Sequence, residues 1–185
     1  EPGPVLDDLL TVMADNPTQV CRFLHLPLQH GDNRILHRMN RRYTVEEYSE
    51  IVNRANQRVP GICIGTDVMI GFPGETDDAF EQCSSTVANL PFAYVHIFSF
   101  SPRPGTPAAT FSDPVPSRIT AERRETLQRI AESKSREFTR RQCGHTVSVL
   151  VESTDREGRA VGWSDNYLRV RIANRKFHAN EFVPA

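Results

Sequence analysis

Three short loops carry the residue types that could bind a ligand or do chemistry. They comprise residues 29–32 (Gln-His-Gly-Asp), residues 71–76 (Gly-Phe-Pro-Gly-Glu-Thr) and residues 101–106 (Ser-Pro-Arg-Pro-Gly-Thr). The two glycines that flank Phe72-Pro73 let the backbone turn tightly and approach a ligand closely. The second loop leads into a predicted helix, whose free N-terminal amides favour a carboxylate or a phosphate. The alternative interpretation is an ordinary strand-to-helix turn with a good helix cap.

Several isolated polar residues add to these loops. Arg103 lies between two prolines, where a rigidly held guanidinium could clamp a carboxylate or phosphate. Arg41 has an arginine neighbour, and a solvated surface pair would explain it equally well. Asp67 interrupts an apolar run, so its carboxylate needs either a ligand or a structural ion pair. His25 and His96 also lie in apolar runs, and we interpret them as core residues.

The elements that must position these loops follow from the apolar pattern. Apolar runs of strand length cover residues 22–28, 62–70 and 93–100, and segments with helical periodicity separate them. Thr44 opens a capping box, and Thr76 caps the next helix. Alternating helices and strands predict βα units on a parallel sheet, whose carboxyl ends bring the three loops to one edge. The continuous apolar runs predict that both faces of the sheet are covered.

The remainder of the chain differs in charge and pattern. Residues 117–142 carry 8 basic and 4 acidic side chains and predict one arginine-rich helix, whereas residues 1–116 carry 8 basic and 14 acidic ones. Short β-like runs then cover residues 145–152, 160–163 and 167–172, with turn residues between them. The sequence therefore predicts a basic helix followed by a small antiparallel β unit.

Overall composition excludes several classes of protein. A net charge of −1 excludes a uniformly basic nucleic-acid binder. No signal peptide and no apolar run of membrane-spanning length are visible. The six histidines and four cysteines show no metal-ligand spacing and no disulfide pattern. We therefore expect a cytoplasmic protein with reduced thiols, without a membrane partner and without a metal site of its own.

Four motifs in register carry a resemblance to a known family. They are His-Leu-Pro-Leu-Gln-His-Gly (25–31), Met-Asn-Arg-Arg-Tyr-Thr (39–44), Thr-Asp-Val-Met-Ile-Gly-Phe-Pro-Gly-Glu-Thr (66–76) and Ser-Pro-Arg-Pro-Gly-Thr-Pro (101–107). Together they resemble the radical S-adenosylmethionine methylthiotransferases along essentially the whole chain.

The resemblance implies an α/β fold in three parts. Residues 1–116 would form the second half of a TIM-like (β/α)6 radical SAM barrel with parallel strands. Residues 117–142 would form a basic connecting helix, and residues 143–185 a small antiparallel β-barrel similar to a TRAM domain, which binds RNA.

The resemblance also assigns roles to individual residues, although it identifies no catalytic residue. The positions implied to bind S-adenosylmethionine are Gln29, Arg41, Asp67, Gly71, Phe72, Pro73, Gly74 and Glu75. The positions implied to bind substrate or RNA are Arg103, Arg123, Arg124, Tyr167 and Arg169.

The activity implied is the addition of a methylthio group to C2 of N6-threonylcarbamoyladenosine 37 in tRNA, with S-adenosylmethionine and [4Fe-4S] clusters as cofactors. N6-isopentenyladenosine 37 is the alternative substrate, and a truncated RNA-binding module without catalysis is an alternative of a different class. The family's Cys-x-x-x-Cys-x-x-Cys loop and the N-terminal half of the enzyme would precede Glu1, and the four cysteines present do not replace that loop. We therefore expect this chain alone to be inactive.

Overall fold

The computed structural model describes Gly3, residues 5–173 and residues 177–185, and contains two sheets joined by a long helix. In chain order the elements are α1 (Val5–Asp15), β1 (Phe23–His25), α2 (Asn33–Arg38), α3 (Val45–Arg58), β2 (Cys63–Ile70), α4 (Asp77–Asn89), β3 (Tyr94–Ser99), a 3-10 helix (Pro107–Thr110), α5 (Ser117–Gln142), β4 (Ser148–Thr154), β5 (Ala160–Ser164), β6 (Arg169–Ile172) and β7 (Phe182–Pro184). The α/β class with a parallel sheet followed by a separate antiparallel sheet is confirmed. Glu1, the first residue, lies outside the described ranges.

Helix starts follow the side-chain signals in the sequence. The predicted capping box is confirmed, because Thr44 Oγ1 accepts a hydrogen bond from Glu47 N at 3.2 Å and Glu47 Oε2 accepts one from Thr44 N at 2.8 Å. Thr76 caps α4 as predicted. Sequence reasoning missed α2, which begins after Asp32, whose Oδ1 accepts from Ile35 N at 3.0 Å. The first loop is therefore only a few residues long and leads directly into a helix.

The first sheet is parallel, with strand order β1-β2-β3. Strand β1 ends two residues before Pro27, earlier than its apolar run predicted, although Leu26 N still donates to Gly65 O at 2.9 Å. Leu28 N donates instead to the Thr66 side chain at 2.9 Å. Pairing with β2 resumes at Gln29, whose N–H donates to Asp67 O at 2.8 Å.

The two faces of this sheet differ in what covers them. Ile64, Val68 and Ile70 of β2 are fully buried in the core formed with α1, α3, α4 and α5. On the opposite face, His25 and His96 are exposed. The prediction that both faces are covered is therefore wrong for the part of the chain that the structure describes, and the two histidines are not core residues.

The second sheet is antiparallel, with order β6-β5-β4-β7. The predicted alternation in its first strand is confirmed, since Val147, Val149 and Val151 are all buried. Strand β7 was not predicted. This β unit contacts the first sheet through the Arg22–Asp165 ion pair at 2.5 Å. No helix in the described residues has the length and apolar character that crossing a bilayer requires.

Candidate functional site

The three loops meet at the carboxyl edge of the parallel sheet, around a cavity of about 410 Å³. Four of the residues implied by sequence to bind cofactor or substrate line this cavity: Gln29, Arg41, Phe72 and Arg103. Further lining residues, which sequence reasoning did not assign, include Arg38, Asn40, Met69, Phe100 and Phe111. The cavity thus combines guanidinium and amide groups with apolar and aromatic walls.

The backbone holds Gln29 rigidly at the cavity edge. Its φ of 66° is in the left-handed region, which non-glycine residues rarely adopt. Two hydrogen bonds to β2 fix this conformation, from Gln29 N to Asp67 O at 2.8 Å and from Met69 N to Gln29 O at 2.7 Å. Gln29 therefore lines the cavity from a main chain that two hydrogen bonds hold in an unusual conformation, a feature that is common at binding sites.

An aromatic cluster forms the apolar wall. Phe72 contacts Phe100 and Phe111 edge to face, with ring centroids 5.1 and 6.1 Å apart. The Arg38 guanidinium lies 4.8 Å from the centre of the Phe111 ring and pairs with Asp113 at 2.8 Å. The sequence analysis had assigned Phe72 to the site, whereas Phe100 was marked only by its position immediately before the proline-rich third loop and Phe111 not at all. A flat apolar ligand group would fit against such rings.

The glycines of the second loop serve a purpose other than the expected one. Gly71 and Gly74 have φ of 71° and 85°, which confirms the tight turn. A Cβ at Gly71 would lie 2.6 Å from Thr120 Oγ1, and one at Gly74 would lie 2.8 Å from Arg38 Cζ. At both glycines, side chains of other parts of the protein therefore lie close to the backbone and leave no room for a Cβ atom. Neither glycine lines the cavity, nor does the buried Pro73, and the expected contact of these three residues to the ligand stays a prediction.

Glu75 closes the second loop from inside the protein. Its carboxylate is fully buried and accepts hydrogen bonds from Gly71 N at 2.6 Å and from Arg123 Nη1 at 2.9 Å. His30 Nε2 lies 3.7 Å from the same carboxylate. Glu75 is therefore an internal anchor that joins the loop to α5, and the expectation of a cofactor contact is corrected.

Arg123 is likewise not a surface residue. It is only 6% exposed and, besides Glu75, its guanidinium pairs with Asp77 at 2.7 Å. The ring of Phe80 lies 5.3 Å from its Cζ. Because these partners occupy the guanidinium, Arg123 cannot contact RNA phosphate in this structure, and we withdraw that assignment.

Asp67 also lies away from the cavity. It is on the open face of the sheet, where its carboxylate is 3.2 Å from His25 Nε2. His25 Nδ1 is 3.0 Å from the Tyr94 hydroxyl, which extends the chain of polar contacts to β3. Of the two alternatives that the sequence left open, this structure shows a structural partner for Asp67, the His25 ring, and the ligand contact stays a prediction.

The other RNA candidates are on the surface. Arg124 is exposed, and its Nη1 lies 3.5 Å from Ser99 Oγ. Tyr167 is 53% exposed, and the Arg169 guanidinium lies 5.5 Å from the centre of the Trp163 ring. Part of the positive charge of α5 is compensated by ion pairs one turn apart, namely Arg118–Glu122, Arg136–Glu132 and Arg141–Glu137.

The cysteines do not fit an iron–sulfur cluster, which needs closely grouped thiolates. Cys63 and Cys83 are buried, and burial raises the pKa of each thiol to about 12. Cys21 and Cys143 are exposed. Across the described ranges, no three His, Cys, Asp or Glu side chains are grouped so that they could hold a metal ion.

Comparison with known proteins gives the same family as the motifs. Residues 2–86 match the family model of the radical SAM superfamily. The tRNA-2-methylthio-N(6)-dimethylallyladenosine synthase of Aquifex aeolicus is 41% identical over 161 residues, which are 87% of this chain and 36% of that protein. The enzyme of the same name from Bdellovibrio bacteriovorus is 39% identical over 159 residues, 83% of this chain and 35% of that protein.

A relative with a different name aligns over more of the chain. The threonylcarbamoyladenosine tRNA methylthiotransferase MtaB of Bacillus subtilis is 31% identical over 174 residues, which are 92% of this chain and 38% of that protein. The chain thus spans little more than a third of the length of these curated relatives. With its four motifs in register and these matches, the chain belongs to the radical SAM methylthiotransferase family.

Proposed function

We propose that the cavity at the carboxyl edge of the sheet binds S-adenosylmethionine. The observation that carries the proposal is the convergence of Gln29, Arg41, Phe72 and Arg103 on one cavity. Guanidinium groups suit the ligand's carboxylate, the amide suits polar edges of the adenosine, and the aromatic wall suits its base. A volume of about 410 Å³ lies within the usual range for small-molecule sites.

In this proposal the protein binds and orients the cofactor. Bound S-adenosylmethionine would supply the methyl group and, with a reduced iron–sulfur cluster, the radical chemistry that an unactivated C–H bond requires. The described residues do not fit such a cluster, so no step through it is assigned to them. What they provide is a guanidinium-lined rim, an apolar wall that excludes water, and a backbone held by Glu75.

We further propose a division of the chain into three parts. Residues 1–116 are the second half of a (β/α)6 radical SAM barrel, residues 117–142 a connecting helix, and residues 143–185 a TRAM-like unit that contacts tRNA. The parallel order β1-β2-β3 and the antiparallel β unit support this division. Exposed Arg124, Tyr167 and Arg169 are the proposed RNA contacts, and Arg103 is the proposed contact to substrate at the cavity rim.

The reaction we propose for the whole enzyme is methylthiolation at C2 of N6-threonylcarbamoyladenosine 37 in tRNA. The Bacillus subtilis relative, 31% identical over 92% of the chain, carries this substrate in its name. The second candidate is the dimethylallyl (isopentenyl) adenosine at the same position, which is in the names of the Aquifex and Bdellovibrio relatives, 41% and 39% identical. Binding of anticodon stem-loop RNAs that carry either modification separates the two candidates. Tighter binding of the threonylcarbamoyl RNA supports the first, and the reverse order supports the second.

Titration of the chain with S-adenosylmethionine, followed by ligand-observed NMR, tests the cavity. Arg41→Met should weaken binding about tenfold, because it removes a guanidinium from the cavity in which the ligand's carboxylate would bind. Arg129→Met, which removes a charge from the exposed side of α5, is the matched control and should change nothing. Equal affinity of the Arg41→Met variant and the parent chain would contradict the proposed site.

A further inference from the structure

The first loop makes a very tight turn at Gln29. His30 N donates to Leu28 O at 2.9 Å, and this hydrogen bond closes a three-residue turn with Gln29 at its centre. Because φ of Gln29 is 66°, this is the γ-turn with positive φ, which is rare and strained. A non-glycine residue keeps such a conformation only where its surroundings hold it. The turn therefore depends on contacts beyond its own backbone.

Main-chain contacts support the residues on either side of position 30. Strand β2 bonds to both main-chain groups of Gln29, through Asp67 O and Met69 N. A Cβ at Gly31 would lie 2.6 Å from Cys83 Cα, so the loop packs directly on the backbone of α4. These contacts fix the main chain before and after residue 30, whose side chain is directed into the protein.

The ring of His30 is fully buried and bonds to its own loop. Its Nδ1 accepts a hydrogen bond from Asp32 N at 3.1 Å. Asparagine and aspartate make the same contact, two residues along the chain, in Asx turns. Because Nδ1 accepts, the hydrogen of the neutral ring is on Nε2. The Asp32 side chain caps α2, so the ring connects the turn at Gln29 to the start of that helix.

The other nitrogen of the His30 ring lies next to the second loop. Nε2 has no hydrogen-bond partner among the described residues, and it lies 3.7 Å from Glu75 Oε2. The N–H dipole and the carboxylate attract each other there, and such attraction is stronger in a protein interior than in water. Gly71 N and Arg123 Nη1 hold the carboxylate in place. The ring therefore lies between the strained turn and an anchored negative charge.

We propose that His30 is a positioning residue for S-adenosylmethionine, which holds the Gln29 turn in the conformation that binds the ligand. The inference rests on the proposed binding of S-adenosylmethionine in the cavity. Gln29 lines that cavity and His30 does not, so His30 acts through Gln29. The His30 and Glu75 side chains are both fully buried within this chain, so their contact does not depend on what covers the open face of the sheet.

The size of the expected effect follows from the population of the turn. A variant that lets the turn relax leaves only a fraction of the molecules with Gln29 in place, and the apparent affinity falls by that fraction. If about one molecule in ten keeps the turn, S-adenosylmethionine binds about tenfold more weakly. His30→Leu, which fills the buried space but removes both ring nitrogens, should have this effect.

A conservative variant and a control separate positioning from general stability. The side-chain oxygen of His30→Asn can accept from Asp32 N as Nδ1 does, so its affinity should stay within about threefold of the parent chain. Ile64→Ala removes volume from the core but does not line the cavity, and it should leave the affinity unchanged. Ligand-observed NMR measures the affinities, and amide spectra show which variants are folded.

A double-variant cycle tests whether His30 acts through Gln29. Glycine adopts positive φ freely, so Gln29→Gly forms the turn without support but loses the side-chain amide. In that background His30→Leu should cause no further loss of affinity, although each single variant weakens binding. Losses that multiply in the double variant would overturn the inference. Equal affinity of His30→Leu and the parent chain, or binding by His30→Asn as weak as that of His30→Leu, would overturn it as well.

A measurement on the parent chain does not depend on the folding of any variant. Ring-nitrogen NMR near neutral pH should show the hydrogen of His30 on Nε2, and the opposite tautomer would overturn the inference. Failure of the parent chain to bind S-adenosylmethionine would overturn the proposed function and the role of His30 with it. Binding by the parent chain together with any contrary result from the variants would remove only the role of His30.

Discussion

The two faces of the parallel sheet use the same strands for opposite purposes. Toward the helices, β2 presents Ile64, Val68 and Ile70, all fully buried. Toward the open side, the same strand presents Gly65 and Asp67, and the rings of neighbouring strands lie across or beside them. The first face holds the fold together by excluding water, and the second carries rings and polar groups at the surface.

The two faces should therefore differ in what they contribute to stability. Loss of apolar volume on the helix-covered face should cost folding free energy. Truncation of exposed side chains on the open face should cost little stability. The following variants test that difference.

The largest expected effect is at the buried anchor beneath the second loop. Arg123→Met leaves the Glu75 carboxylate buried without its cation, which should cost about 3–5 kcal/mol of unfolding free energy. Urea denaturation measures this loss. The double variant Glu75→Gln/Arg123→Met should recover part of it, since no uncompensated charge remains. Arg118→Met, which breaks an exposed pair on the same helix, should cost less than about 1 kcal/mol. Equal losses for the two arginines would contradict the anchor.

A pair of truncations on opposite faces gives the next effect. Ile64→Ala creates a cavity in the core and should cost about 2–5 kcal/mol. Phe98→Ala removes a larger side chain but, because that ring is half exposed, should cost less than about 1 kcal/mol. Thermal unfolding of both variants would compare the faces directly. A loss for Phe98→Ala as large as that for Ile64→Ala would show that the second face is also a stabilising core.

Gly65→Ala should have an intermediate effect confined to the open face. The new Cβ would collide with the Tyr94 ring, which must lift off β2, at a cost of about 1–3 kcal/mol. The double variant Gly65→Ala/Tyr94→Ala should relieve the collision. Additive losses in the Gly65/Tyr94 pair would contradict the close approach.

The smallest effect on stability at neutral pH concerns the thiols. Burial raises the pKa of Cys63 and Cys83 to about 12, so at pH 8 an alkylating agent should modify only Cys21 and Cys143 in the native chain. Mass spectrometry counts the labels. Because the unfolded thiols ionise near pH 8.5, the unfolded chain loses protons there that the native chain keeps. Stability should therefore fall as pH rises from about 9 toward 12. Rapid labelling of all four thiols in the native chain at pH 8 would contradict this burial.

Local signals in the sequence predicted much of the architecture. The parallel sheet and the meeting of its loops were predicted from the helix caps at Thr44 and Thr76, the three apolar runs and the order of the elements. At the early end of β1, Leu28 N donates to the Thr66 side chain and not to the main chain of β2, which an apolar count does not weigh. β7 is three residues long and is defined only by its pairing with β4.

The site assignments failed where the direction of a side chain decided the outcome. Arg123 lies one turn from Leu127 and two turns from Ala131, so it shares the buried stripe of α5, a spacing that the charge count of the helix concealed. In β2, the alternation of Asp67 with Thr66 and Val68 was hidden in a run that read as continuously apolar. Charge and composition show which residues are present, and only the packing shows which way they face.

The most direct test of the account is an amide NMR map of the chain with two ligands added in turn. S-adenosylmethionine should shift resonances around the cavity, at Gln29, Phe72 and Arg103, and leave β4 to β6 unchanged. tRNA should shift Arg124, Tyr167, Arg169 and their neighbours first. Two separate sets of shifts would support a cofactor site at the strand ends and an RNA contact on α5 and the β unit. Shifts from S-adenosylmethionine that bypass the cavity, or tRNA shifts that are absent from both α5 and the β unit, would contradict it.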